Sequence, residues 1–236
     1  HRTLPVIDSP MGFKNRRAAG QQLAESVRLT LAALPPLPTL VLGVPRGGVP
    51  VAYEVALALD SPLDIWLVRK IGMPGQEELA AGAIADGGVE IWNSDVLGYS
   101  GLNPSDLAKT VARERAELER RRHVYCGDHR APDVRDRRIV LVDDGIATGA
   151  SLFAAIESLR HAGVAELYVA VPVAPVDTCR RMQSLVEGLI CPLQPENFRA
   201  IGMWYDEFGQ TSDDEVIELL AQSAKRRLQK QGSKNG

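Results

Sequence analysis

Apolar residues recur along this chain in two rhythms. Over 16–34, Ala19, Leu23, Val27 and Leu31 return every four positions, the spacing of one helical face, and Pro35, Pro36 and Pro38 stop the helix. Short continuous apolar runs at 40–44, 63–68, 139–142 and 167–173 have strand length and are bounded by Gly, Pro or charge. Helical patterns separate them at 49–59, 104–125, 152–163 and 176–187, with Pro50 in a first turn. Residues 89–92 make a further short strand, 127–138 read as a polar loop, and 71–88 are rich in Gly and Ala with no firm period. Near the end, Ser212 and Glu215 fit a capping box that opens a last helix. Residues 1–15 read as an arm, and 229–236 as a frayed polar tail.

Apolar runs alternating with helices predict an α/β fold: a central, mostly parallel sheet with helices on both faces. A single domain over 1–228 is expected, its core at about 40–175, with a small hood from 192–211 and the arm. Ligands in such sheets lie at the carboxyl ends of the strands, so loops that follow strands are the places to look.

Composition narrows the function classes. A 236-residue chain with 45% hydrophobic and 24% charged residues is ordinary for a globular protein. Its net charge of −3 argues against a protein built to grip nucleic acid. No run is long and apolar enough to cross a bilayer, and no secretory signal is read at the N-terminus. Position 1 is His rather than an initiator Met, so little is built on where the chain begins. Cys126, Cys179 and Cys191 are odd in number and widely spaced, which suits free thiols and a reducing, cytoplasmic setting. His123, His129 and His161 have no partner in view and receive no role.

Candidate chemistry concentrates at 139–151. Ile139 to Val142 run into Asp143-Asp144, then Gly145-Ile146-Ala147-Thr148-Gly149-Ala150-Ser151, then a helix. A strand–loop–helix junction aims backbone amides and a helix's positive end at one spot, which favours an anion. Thr148 and Ser151 add hydroxyls, and the two glycines let the backbone close in. The carboxylates would repel a phosphate directly on them, so they suit neutral hydroxyls on the same ligand. An ordinary crossover with a capping Asp would explain one carboxylate, not the pair together with Thr148-Gly149. This run resembles the phosphoribosyl-diphosphate motif of the type I phosphoribosyltransferases. The resemblance implies that Asp143 and Asp144 hold the ribose hydroxyls while 145–151 hold the 5-phosphate.

Other loops gain weight beside it. Pro45, Arg46, Gly47 and Gly48 follow a strand; alone they fit a tight turn equally well, but they resemble the family's diphosphate loop, which implies a cis peptide at Pro45–Arg46 or Arg46–Gly47. Neither a Walker A loop nor G-x-G-x-x-G is present. The Asp-Asp pair has no Walker A partner to make it a Walker B strand, and its adjacency departs from the haloacid-dehalogenase spacing. Arg69 and Lys70 at a strand's end resemble an adenine phosphoribosyltransferase segment and suit a leaving diphosphate, or else two solvated cations. The stretch that follows would be a mobile flap, in which Glu77, Glu78 or Asp86 act as acid or base or stay solvated loop charges. Its Leu79 to Ala85 run departs from the adenine enzymes, which leaves the acceptor open. Trp204 and Tyr205, beside Phe208, offer flat faces for an acceptor ring or else close the core. The helix with Arg113, Arg115, Arg120, Arg121 and Arg122 among Glu114, Glu117 and Glu119 reads as a solvated face of i,i+4 pairs.

The resemblance therefore implies a Mg²⁺-dependent transferase acting on 5-phosphoribosyl 1-diphosphate and a nitrogen acceptor. Asp143, Asp144, Arg69 and Lys70 would be catalytic, with Mg²⁺ held mainly by ligand oxygens and water. A homodimer is implied too, through the charged helix or the arm. A protein that senses the sugar phosphate without turnover is the alternative; it would keep 143–151 without needing the other loops.

Overall fold

The computed structural model describes residues 12–236. Most of the expected arm, residues 1–11, lies outside the described residues. The chain runs α1 (Arg16–Ala32), β1 (Thr39–Gly43), α2 (Gly48–Leu59), β2 (Leu63–Ile65), β3 (Val68–Met73), β4 (Gln76–Ala85), β5 (Val89–Trp92), α3 (Ser94–Ser100) and α4 (Ala108–Cys126). It continues through β6 (Arg138–Val142), α5 (Ala150–His161), β7 (Glu166–Ala170), α6 (Val176–Gln183), β8 (Gly188–Ile190) and α7 (Asp213–Lys234).

Five strands form one parallel sheet in the order β2-β1-β6-β7-β8. Side chains alternate across a strand, so each central strand feeds two cores. Leu40, Leu42, Ile139 and Leu141 meet Leu152, Ile156 and Leu159 of α5 on one face. Val41, Val140 and Val142 meet Leu23 and Val27 of α1 and Val51 and Val55 of α2 on the other. Each fully buried side chain of this size contributes roughly 1.5–3 kcal/mol, which is why the apolar runs read so clearly.

A second sheet departs from expectation. The predicted 63–68 strand splits: β2 stays in the parallel sheet, while β3 joins β4 and β5 in a three-stranded antiparallel sheet. The stretch 71–88 is thus mostly paired strand, turned at Pro74-Gly75, where Gly75 takes φ +76°. Its small residues let β4 lie between two neighbours: a side chain on Gly82 would run into the Ile91 carbonyl. Two short elements, α3 and β8, were not predicted. The tail expected at 229–236 is helical to Lys234, whose neighbour Lys230 reaches Asp60 at 2.6 Å. At the other end of α7, Ser212 accepts from the Glu215 amide, the first half of the expected cap.

The charged helix α4 also needs correction at one position. Arg121 bonds Glu117 on the exposed side as the i,i+4 reading expects, and Arg120 bonds it at i,i+3. Arg122 is buried at 8% exposure and binds Asp86, Asp64 and the Ile65 carbonyl. It joins both sheets. Among the described residues, no helix is long and apolar enough to cross a membrane.

Candidate active site

The strand order reverses between β1 and β6. The chain leaves β1 toward β2 on one side and leaves β6 toward β7 on the other, so the loops after these strands part and leave a crevice. The loops in that crevice are 44–48 and 143–151, two of those that the sequence singled out.

They interlock through glycines. A Cβ on Gly47 would fall on the Asp144 carboxylate; one on Gly48 would stand 2.8 Å from the Val142 carbonyl and 3.0 Å from Asp143 Oδ1. Only glycine lets the two loops lie this close. The Pro45–Arg46 peptide is cis, one of the two positions expected. Gly47 opens α2 with φ −63°, an ordinary helical value, so close approach rather than left-handed backbone requires it.

In the second loop, Gly149 takes φ +83° and hands the chain to α5 at Ala150. First-turn amides of a helix have no carbonyl of their own to bond, so the start of α5 faces the crevice as a donor cluster. Thr148 and Ser151 are exposed there, and Thr148 Oγ1 accepts from the Ala150 amide at 3.4 Å. Ile146 differs from the rest of the run. Its side chain is buried and its amide donates to the Val173 carbonyl at 3.0 Å, so it anchors the loop.

The adjacent carboxylates occupy unlike surroundings. Asp143 Oδ1 accepts from the Asp144 amide at 2.8 Å. Burial and the neighbouring Asp144 charge hold the Asp143 carboxyl well above the usual carboxylate range. Asp144 is 8% exposed, and its Oδ2 accepts from Arg16 Nε at 2.9 Å. Arg16 was not singled out in the sequence, and it lies 128 positions away.

Placement of the remaining candidates is mixed. Arg69 and Lys70 are consecutive in a strand and point to opposite faces. Lys70 lines a cleft of about 530 Å³ with Glu78, Trp92 and Ala150, on the phosphate-loop side. Arg69 pairs with Glu114 of α4 at 2.8 Å, away from that cleft. Arg46 turns toward α4 and α7, walling a cavity of about 290 Å³ with Arg120, Arg121, Tyr125 and Asp213. Of the flap acids, Glu78 faces the cleft, and Glu77 sits on the exposed hairpin. Asp86 is 2% exposed and bonded to Arg122 and the Leu67 amide, so it serves the fold, not proton transfer.

The aromatic hood is also corrected. Trp204 and Tyr205 are 9% and 6% exposed and pack with Phe13 and Val173, which leaves neither ring open to stack on an acceptor. The Tyr205 hydroxyl donates to the Asp144 carbonyl at 2.6 Å, and its ring stacks on Phe208 at 4.9 Å. Tyr205 therefore seats the hood on the carboxylate loop. Burial, then the Asp144 charge, pushes its phenol well above the ordinary range, so it stays a donor.

Among the described residues, no group of three or more His, Cys, Asp or Glu could hold a metal ion. Asp143 and Asp144 are the carboxylates at the crevice, one of them paired with Arg16, and Mg²⁺ at phosphate sites is usually bound through one or two carboxylates together with substrate oxygens and water.

Comparison with known proteins bears on the domain as a whole. A family model described as phosphoribosyl transferase domain matches residues 14–189. Two relatives in strains of Mycobacterium tuberculosis, provisionally named phosphoribosyl transferases, are 43% identical over 209 residues. The match takes in 88% of this chain and 46% of theirs, so the chain spans about half the length of these curated relatives. The crystal structure of TT1426 from Thermus thermophilus is 39% identical, superposes with a TM-score of 0.79, and covers 90% of this chain and 99% of its own. The chain therefore belongs to the phosphoribosyl transferase domain family.

Proposed function

We propose that this domain transfers the phosphoribosyl group of 5-phosphoribosyl 1-diphosphate to a nitrogen acceptor and releases diphosphate. The interlocking of Gly47 and Gly48 with Asp144 and Asp143 carries the reading. It sets the 145–151 turn, two carboxylates and a second loop within one crevice. In this reading the backbone of 145–151, with Thr148 and Ser151, grips the 5-phosphate. That grip lies away from the breaking bond and fixes the sugar by remote binding energy. Asp143 and Asp144 accept from the ribose hydroxyls and offset the positive charge that grows on the sugar as the bond to diphosphate lengthens. The 45–48 loop and Lys70 receive the departing anion. Arg69 is held by Glu114 and contributes only if that pair opens. Mg²⁺, bound through ligand oxygens and water, supplies charge neutralisation on the leaving group.

The test is diphosphate release from the activated sugar and Mg²⁺, with purines, pyrimidines and smaller nitrogen nucleophiles supplied in turn. Release should depend on one acceptor class, and Asp144→Asn should lower it by about a hundredfold, the scale for losing one charge-stabilising group. A parent that binds the sugar diphosphate but turns over no acceptor would favour a sensor. Unchanged release in Asp144→Asn would remove the ribose contact from the reading.

A further inference from the structure

Arg16 stands at the first residue of α1, where the helix's positive end disfavours a cation and no acidic residue offsets it. Helix formation does not explain an arginine there. Its partners do. The side chain is 14% exposed and makes three separate contacts. Nε donates to Asp144 Oδ2 at 2.9 Å, Nη1 donates to the Gly209 carbonyl at 2.6 Å, and the guanidinium lies 4.0 Å from the centre of the Phe208 ring. A charge buried to this degree persists only when it is paired and hydrogen-bonded.

The consequence falls on Asp144. Its carboxylate is wedged between Arg16 and the bare Cα of Gly47, and its carbonyl is held by Tyr205. One oxygen is engaged by the guanidinium. A carboxylate has about four lone-pair sites, so capacity remains for a hydroxyl. Two adjacent carboxylates repel, and the Arg16 charge also draws down the raised Asp143 carboxyl. The same guanidinium touches the hood at Gly209 and Phe208, so the sugar side and the hood side share one fixed point.

We propose that Arg16 is a positioning residue that aims Asp144 at the sugar hydroxyls and ties it to the hood. This rests on the reading of 143–151 as a ribose 5-phosphate site. The Arg16 contact should matter for the sugar and not for the bare anion, because the phosphate turn does not involve it.

Two ligands separate these effects in titration calorimetry on the 236-residue chain: ribose 5-phosphate and inorganic phosphate. Arg16→Met should weaken ribose 5-phosphate by about tenfold, the loss of one charge-fixed contact, and leave phosphate affinity unchanged. In an Asp144→Asn background it should cost nothing further, since both changes remove one unit. Arg16→Lys keeps the charge without the Nε geometry and should fall between parent and Arg16→Met; it carries the test if Arg16→Met does not fold. A parent-like sugar affinity in the folded variant, equal losses for both ligands, or losses that multiply with Asp144→Asn would each overturn the inference. If Asp144→Asn itself leaves ribose 5-phosphate affinity untouched, the ribose site reading fails instead, whatever Arg16 does.

Discussion

Asp143 is costly to bury as an anion, and among the described residues no ion pair neutralises it as Arg16 neutralises Asp144. Its carboxyl is raised above the unfolded value of about 3.9. A raised carboxyl favours the folded state most below that unfolded value. The contribution is lost as pH climbs through the folded value. At neutral pH this carboxyl therefore works against folding in the free protein. Asp143→Asn should raise the melting temperature at pH 7.5 by about 2–4 °C, the shift that roughly 1 kcal/mol gives a domain of this size. The gain should shrink toward pH 4, and diphosphate release should fall. Melting curves of variant and parent that superimpose from pH 4 to pH 8 would show that the buried charge costs nothing. Stability given up at a site residue in this way is common where function needs an unfavourable charge.

At the scale of elements, α4 shows why a helix rich in charge cannot be read from its pattern alone. Five arginines and three glutamates between 113 and 122 look equivalent in sequence. Arg122 differs because it reaches Asp86 beyond β4 and Asp64 in β2, residues 36 and 58 positions away. Burial acts to lower its pKa, and the two carboxylates more than reverse this. Removing one partner of such a buried group leaves the others uncompensated, typically at about 3–5 kcal/mol. Arg122→Met should destabilise by about 3 kcal/mol in urea melts, and adding Asp86→Asn should recover part of that loss. A variant as stable as the parent would show that the network contributes nothing net. The same distance effect explains what was legible. The 143–151 loop is contiguous, so its spacing survives in sequence, as do the β1 and β6 runs that must be apolar on both faces. Arg16 and the Tyr205 hydroxyl meet Asp144 only through the fold, and no local pattern marks them. Trp204 and Tyr205 show the converse, since aromatic clustering is common to stacking platforms and to cores.

For the molecule as a whole, the two sheets have different tasks. The parallel sheet has helices on both faces and sets the crevice at β1 and β6. The antiparallel sheet is pinned at its root, where Arg122 joins Asp86 and where Ile84 and Ala85 are buried. Its far end is bare: Pro74 to Leu79 are all exposed, although Gly82 to Ala85 pair fully with β5. The sequence showed the glycines here but not the pairing, because alanine and glycine carry little strand preference and the register is set by β3 and β5. A hairpin fixed at one end and free at the other can open at its tip without unfolding the domain. Lys70 and Glu78 lie on its cleft side, so closure would bring them over the 143–151 turn and shut out water. Hydrogen exchange should find amides at the 74–79 tip unprotected within seconds while those of β1 and β6 persist. Ribose 5-phosphate together with diphosphate and Mg²⁺ should slow exchange at 70–82. If the ligands protect 143–151 and leave 70–82 unchanged, the hairpin is a static wall and some other segment must exclude water.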